Sequence, residues 1–278
     1  SAWIDYALAY SPGSIDQSYA AVYRDSVLGV APHVTTSERS EVTYGGQLIV
    51  APLFDLSLGA SGGTMTAGVR VASRPGADID DVIVPDDGVV STESTYVVDL
   101  WDGDEFAHWR RLRKSYRSLI HQAERDYDFV VVSGTEDARG CVYDLAQAVH
   151  IEAAGRRTRS ELTWKFMSDW AFDGRGVLVL ARAKADHSCV GFAYVVRWKD
   201  WSYWISGATT KRNLQHALQW HMIRTLMCDG ETRYYEIGHA ADRVDEDEKT
   251  KNISFFKSGF GGTRWTIPIV EVPIACAS

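Results

Sequence analysis

Residues 201–237 read WSYWISGATTKRNLQHALQWHMIRTLMCDGETRYYEI. The run divides into three parts. Trp201 to Ala208 is rich in β-branched and aromatic residues and predicts a strand. Asn213 to Cys228 predicts a helix, stopped by Asp229-Gly230. Arg233 to Ile237 predicts a second strand.

The neighbouring segments extend the pattern. Val177 to Ala183 predicts a strand, Ala185 to Ser188 a turn, and Cys189 to Trp198 another strand that turns at Lys199-Asp200 into Trp201. Downstream come a polar loop over Gly238 to Thr250, a short helix over Ile253 to Lys257, and a last strand over Arg264 to Glu271. The order β-β-β-α-β-α-β is an α+β arrangement.

Upstream, the apolar period is helical from Asp104 to Arg125: Phe106, Trp109, Leu112, Tyr116, Leu119, Ile120 and Ala123. The remaining faces carry Arg110, Arg111, Arg113, Lys114 and Arg117. Phe129 to Ser133 predicts a strand, and Gly140 to Ala154 a helix ended by Gly155. A further helix runs to Phe172, with Thr158 and Glu161 at capping-box spacing. The first hundred residues read as short strands. Ala20 to Val30 predicts a hairpin around Asp25-Ser26, and Thr43 to Leu53 a further strand-like run. Ser57 to Ala67 reads as a loop or a short helix, Ala72 to Gly88 as a surface loop, and Ser94 to Leu100 as a strand.

Composition bounds the function. The chain has 278 residues, 45% hydrophobic and 24% charged, with a net charge of −8 and a pI near 5.5. That balance argues against general nucleic-acid binding, although a local basic patch remains compatible with it. Ten Trp and thirteen Tyr would suit a binding groove. Cys141, Cys189, Cys228 and Cys276 lie far apart with no metal-ligand spacing, so they read as buried thiols of a reducing cytoplasm, and no metal is expected. No stretch of 18 apolar residues occurs, and the first residues lack a basic region followed by an apolar run. The expectation is a cytoplasmic protein with neither signal peptide nor membrane span. Hydrolase and nucleotide signatures (GxSxG, HExxH, the P-loop) are absent.

Three motifs in order carry a family resemblance: Leu218-Gln219-Trp220-His221-Met222-Ile223, Tyr235-Glu236-Ile237-Gly238, and Phe256-Lys257-Ser258-Gly259-Phe260-Gly261-Gly262. They resemble the Fem peptidyltransferases within the GNAT acyltransferase fold. The run Arg113 to Ala123 is similar to that family's central basic helix. The first hundred residues match only in general character. The resemblance implies a β-rich GNAT-like subdomain over residues 1–103 and a GNAT-like acyltransferase domain over 104–278. A narrower likeness is to bacterial Fem-like proteins of nonulosonate sugar pathways, carried by His150, Ala153-Ala154-Gly155-Arg156, Thr158-Arg159 and Thr163-Trp164.

The implied reaction is N-acyl or aminoacyl transfer to an amine of a cell-envelope precursor, amino sugar or peptide. Such transfer needs positive charge or N–H donors at the developing oxyanion. Lys257 is the first candidate, with Phe256 beside it, as the family implies. The region before the central helix, Thr209 to His216, lacks the glycines that acetyl-CoA enzymes place there. This fits an aminoacyl-tRNA donor, with acyl-CoA as the alternative; Lys211 and Arg212 are the candidate donor-phosphate contacts. Arg156, Arg157 and Arg159 suit an anionic substrate. A base could be His239, His150 or Glu236, with His239 first because it follows the motif strand. Trp164, Tyr203 and Gln219 are candidate groove residues. Each of these also has an ordinary reading: a solvated cation, a core aromatic, a structural histidine. The alternative from another class is a noncatalytic sugar- or peptide-binding module on the same fold. The acidic run Asp242 to Glu248 reads as a loop.

Overall fold

The computed structural model describes residues 15–16, 19–23, 26–31, 34–35, 53–61, 64–72, 89–101, 103–134, 141–198, 200–241 and 247–274. The chain divides into two compact units. One comprises residues 1–94, 159–163 and 265–278; the other comprises residues 95–158 and 164–264.

In the first unit, β1 (Ile15–Asp16) bridges β4 (Val34–Thr35), and β2 (Tyr19–Tyr23) forms a hairpin with β3 (Ser26–Ala31). The Ala20 to Val30 hairpin is therefore present. β5 (Leu53–Ser61) and β6 (Thr64–Ala72) form a second antiparallel hairpin, and β6 also pairs with β13 (Thr263–Ile274). The described part of the Ser57 to Ala67 run is thus strand. Its small residues alternate along a regular ladder, which a pattern of apolar bulk cannot reveal. Nearly all of the Thr43 to Leu53 run and of the Ala72 to Gly88 loop lies outside the described residues.

The second unit carries the α+β order expected of it. Its strands lie in the order β7 (Val89–Asp99), β12 (Tyr234–His239), β11 (Trp201–Thr209), β10 (Cys189–Trp198), β9 (Gly176–Ala183) and β8 (Tyr127–Val132). All neighbours are antiparallel except β11 and β12. Those two pair only at Trp201↔Tyr234, Ser202↔Tyr235 and Tyr203↔Glu236, and β11 then continues to Thr209 on β10 alone. Register shifts at Tyr194/Val195 and Glu236/Gly238 flank the point of divergence. Such bulges increase local twist and separate strands.

Both faces of this sheet are covered, which explains the unbroken apolar run of β9: Val177 to Ala181 are all fully buried. On one face lie α2 (Lys114–Asp126) and α5 (Leu214–Asp229), whose Leu218, Met222, Ile223 and Leu226 join Val177, Val179, Ala193 and Val195 in the main core. Residues alternate in β10, so Phe192 and Tyr194 face the other way. There they meet α3 (Cys141–Ala154) and α4 (Glu161–Phe172) through Tyr143 and Trp164. The Tyr194 hydroxyl donates to the Met167 carbonyl at 3.0 Å.

Three helix boundaries differ from the sequence expectation. The Asp104–Arg125 helix is two helices, α1 (Glu105–Arg111) and α2, with Leu112 and Arg113 extended between them. The cause is tertiary: the Arg113 N–H donates to the Gly259 carbonyl at 2.9 Å, and its guanidinium to Tyr116 Oη, the Phe255 carbonyl and Ser258 Oγ. The cap of α4 is Ser160, whose hydroxyl accepts from the Thr163 N–H; Thr158 instead reaches His150. The last helix, α6 (Glu248–Lys257), begins five residues early because Asp247 caps it by accepting from the Thr250 N–H at 2.7 Å. Cys228 is exposed in the last turn of α5 rather than buried, and Cys189 is half-buried; neither is in a disulfide. Among the described residues no helix is long and apolar enough to cross a membrane.

Candidate functional site

The site lies where β11 leaves β12, and the Phe256–Gly262 motif closes it. Helix α6 turns Ser254 and Lys257 inward and leaves Ile253 and Phe255 exposed. Ser254 Oγ accepts from the Ala241 N–H at 2.9 Å, which fastens the helix to the chain after β12. A 3-10 turn over Ser258–Phe260 follows, ending at Gly261 in the left-handed region. Within it, a Cβ on Gly259 would fall 2.1 Å from the Tyr116 ring, so only glycine fits there. The Tyr116 hydroxyl donates to the Phe256 carbonyl at 3.0 Å. The basic helix α2 thereby holds the lysine-bearing segment in place.

Lys257 is 9% exposed. Burial lowers its pKa to about 8, opposed by the nearby charge of Glu236. A Cβ on Gly238 would sit 3.1 Å from Lys257 Nζ, so the glycine of the Tyr235–Gly238 strand makes room for the ammonium. The Trp204 ring centroid is 6.0 Å away on another side. Glu236 accepts a hydrogen bond from Thr95 Oγ1 at 2.7 Å. Burial raises its carboxyl pKa, against the pull of Thr95 and Lys257. Four elements thus converge: α6 supplies the cation, β12 the carboxylate, β7 the hydroxyl and β11 the indole. A buried ammonium beside a carboxylate can stabilise a developing oxyanion, and groups with displaced pKa values suit proton transfer.

Beside this point opens a cleft of about 700 Å³, lined by Trp204, Asn213, Gln215, His216, Asn252 and Phe256 among others. Its size falls within the ordinary range of ligand sites. Lys211 and Arg212 are exposed in the turn before α5, where Thr209 Oγ1 accepts from the Lys211 N–H at 3.0 Å. Asn213 follows in the left-handed conformation with φ 64°.

The other residues singled out from sequence fall elsewhere. His239 is the last residue of β12, opposite Thr95. Tyr203 is buried, stacked on Trp201, and lies in register with Glu236. His150 and Trp164 meet edge to face at 5.5 Å on the α3/α4 face, with Phe192 beside both. Arg156 is exposed in the turn after α3, and Arg159 is half-buried in the other compact unit. Gln219 is fully buried in α5, where its Oε1 accepts from the Tyr235 hydroxyl at 2.5 Å. It links the first two motifs inside the core rather than lining the cleft. Sequence reasoning passed over Trp204, His216 and Thr95. The alternation of β11 contained a signal for Trp204, whereas Thr95 is brought to Glu236 by strand pairing alone.

The acetyltransferase (GNAT) domain family matches residues 110–249 of the chain. No curated protein matches it by sequence. The crystal structure of FemX superposes with a TM-score of 0.57 at 12% identity, over 96% of this chain and 90% of that one. A tandem GNAT protein from the clavulanic acid biosynthesis pathway aligns over 99% of this chain and 89% of its own, at 11% identity and a TM-score of 0.47. L-PGS from Bacillus licheniformis aligns over 66% of this chain and 62% of its own, at 13% identity and a TM-score of 0.48.

Proposed function

Because the chain belongs to the acetyltransferase (GNAT) domain family, we propose that it is a cytoplasmic N-acyltransferase that moves an aminoacyl group from aminoacyl-tRNA to an amine. The acceptor is a cell-envelope precursor, amino sugar or peptide. The observation that carries this reading is the buried Lys257 ammonium, set against Glu236 at the divergence of β11 and β12. The acceptor nitrogen attacks the ester carbonyl, and Lys257 donates to the oxyanion that forms. Collapse breaks the ester bond; a base on β12 takes the amine proton and returns it to the departing ribose oxygen, which leaves as a hydroxyl. His239 is assigned that role, with Glu236 as the alternative. Phe256, at the mouth of the cleft, packs against the donor. Lys211 and Arg212 take donor phosphates. Arg156, His150 and Tyr203 serve the acceptor, with the buried Trp164 packed against His150. Gln219 contributes by holding the motif strand.

One observation favours acyl-CoA as donor instead. Asn213 adopts, without a glycine, the left-handed turn that would free backbone N–H groups at the α5 N-terminus for a pyrophosphate. Titration with acetyl-CoA, charged tRNA and uncharged tRNA decides between them. A salt-sensitive preference for charged tRNA supports the first reading. Saturable acetyl-CoA binding that weakens in Arg212→Ala supports the second. Absence of turnover in the wild type with either donor would leave the noncatalytic binding module.

A further inference from the structure

We propose that His216 is a donor-binding residue, whose Nε2 accepts a hydrogen bond from an N–H or O–H group of the donor bound in the cleft. This rests on the acyltransferase reading for the identity of the cleft. His216 lies in the first turn of α5 and lines that cleft. Its Nδ1 is 2.9 Å from the Asn213 carbonyl oxygen. A carbonyl can only accept, so Nδ1 carries the proton and Nε2 holds the lone pair of the neutral ring. Asn213 is one of two described non-glycine residues with positive φ. That conformation is strained for a side chain with a Cβ. It aims the carbonyl that receives both the imidazole and the His216 backbone N–H at 3.2 Å.

The ring is also fixed in place. Tyr116 meets it edge-on at 4.3 Å and Phe256 at 5.0 Å. The charged and titratable groups around it are Arg113 and Tyr116 from the α2 side, Glu248 and Lys249 from α6, and the exposed Lys211 and Arg212 ahead of α5. Burial and the Arg113 charge hold the imidazole below its ordinary pKa, so it is neutral at pH 7. Position, tautomer and charge are therefore set before a ligand arrives, which preorganises the acceptor. An acyl-CoA would present an amide N–H of its pantetheine arm; an aminoacyl-tRNA would present a ribose hydroxyl.

The test compares His216→Gln with His216→Asn in equilibrium titrations with acetyl-CoA and with aminoacyl-tRNA. Glutamine can place an oxygen near the Nε2 position. Asparagine can keep a donor toward Asn213 but has nothing at Nε2. The two variants, which both lose the ring, should melt at similar temperatures; the Asn variant should lose about tenfold in affinity for the donor that binds, while the Gln variant stays within about threefold. Wild-type affinity should fall in acid, at a pH below the ordinary imidazole range, as His216 gains its proton; the Gln variant should lack that step. Unchanged affinity in the Asn variant, equal weakening in both variants, or no saturable binding of either donor to the wild type would overturn the proposal. Donor binding that depends on His216 without acyl transfer would instead sink the acyltransferase reading and leave this one standing.

Discussion

The Phe255–Gly262 segment and the Gly155–Thr158 turn are both short, cationic and glycine-bearing, yet they sit in opposite environments. Arg156 and Arg157 face water after the left-handed Gly155. Lys257 is enclosed by Gly238, Trp204 and the charge of Glu236, and its pKa falls to about 8. A solvated guanidinium attracts anions without changing its chemistry. A desolvated ammonium is poised to respond to a charge that appears beside it. Positive charge in a sequence therefore says little until its surroundings are known.

The largest effect that would break this contrast is on turnover. Lys257→Met should lower kcat by about 10²–10³-fold with donor affinity retained, as expected for a lost oxyanion donor; steady-state kinetics beside donor titration read both. The same variant should be more stable at pH 7. The folded pKa of Lys257 lies below its unfolded value, so the wild type loses stability as pH falls from 10.5 through about 8. The full cost at pH 7 is roughly 3 kcal/mol. Urea titrations at pH 7 and 9.5 should show the gap between variant and wild type narrowing at the higher pH.

Next in size, Gly259→Ala should destabilise by roughly 1–3 kcal/mol, because the new methyl group overlaps the Tyr116 ring. A lowered Tm with lost activity is expected, and unchanged stability would show that the motif segment is looser than this packing implies. Arg113→Ala removes donors to Phe255, Ser258 and Tyr116 and should cost about 1–2 kcal/mol. The smallest effect belongs to the exposed turn. Arg156→Ala should leave stability within about 0.5 kcal/mol and raise the acceptor KM several-fold; a large loss of stability would erase the contrast between the two segments.

Much of the second unit was legible before its structure. The runs around β9 to β12 and α5 carry strong local patterns, and their ends moved little. The failures share a cause. Leu112 and Arg113 leave the helix because Gly259, far along the chain, takes the Arg113 N–H. The start of α6 was missed because its first turn is polar and buries little, so no apolar period marks it. β5 and β6 were missed because small residues give a weak pattern.

By itself the sequence determined the element order of the second unit and the motif that places a lysine at the end of the last helix, ahead of its glycines. These follow from local periodicity and from residue types that allow few backbone alternatives. Only the tertiary structure decided that Gln219 is core, that Trp204 and His216 share a cleft, and that Thr95 and Glu236 meet across 141 positions. Burial and electrostatic coupling depend on what folding brings alongside a side chain, and that partner is usually distant in the chain.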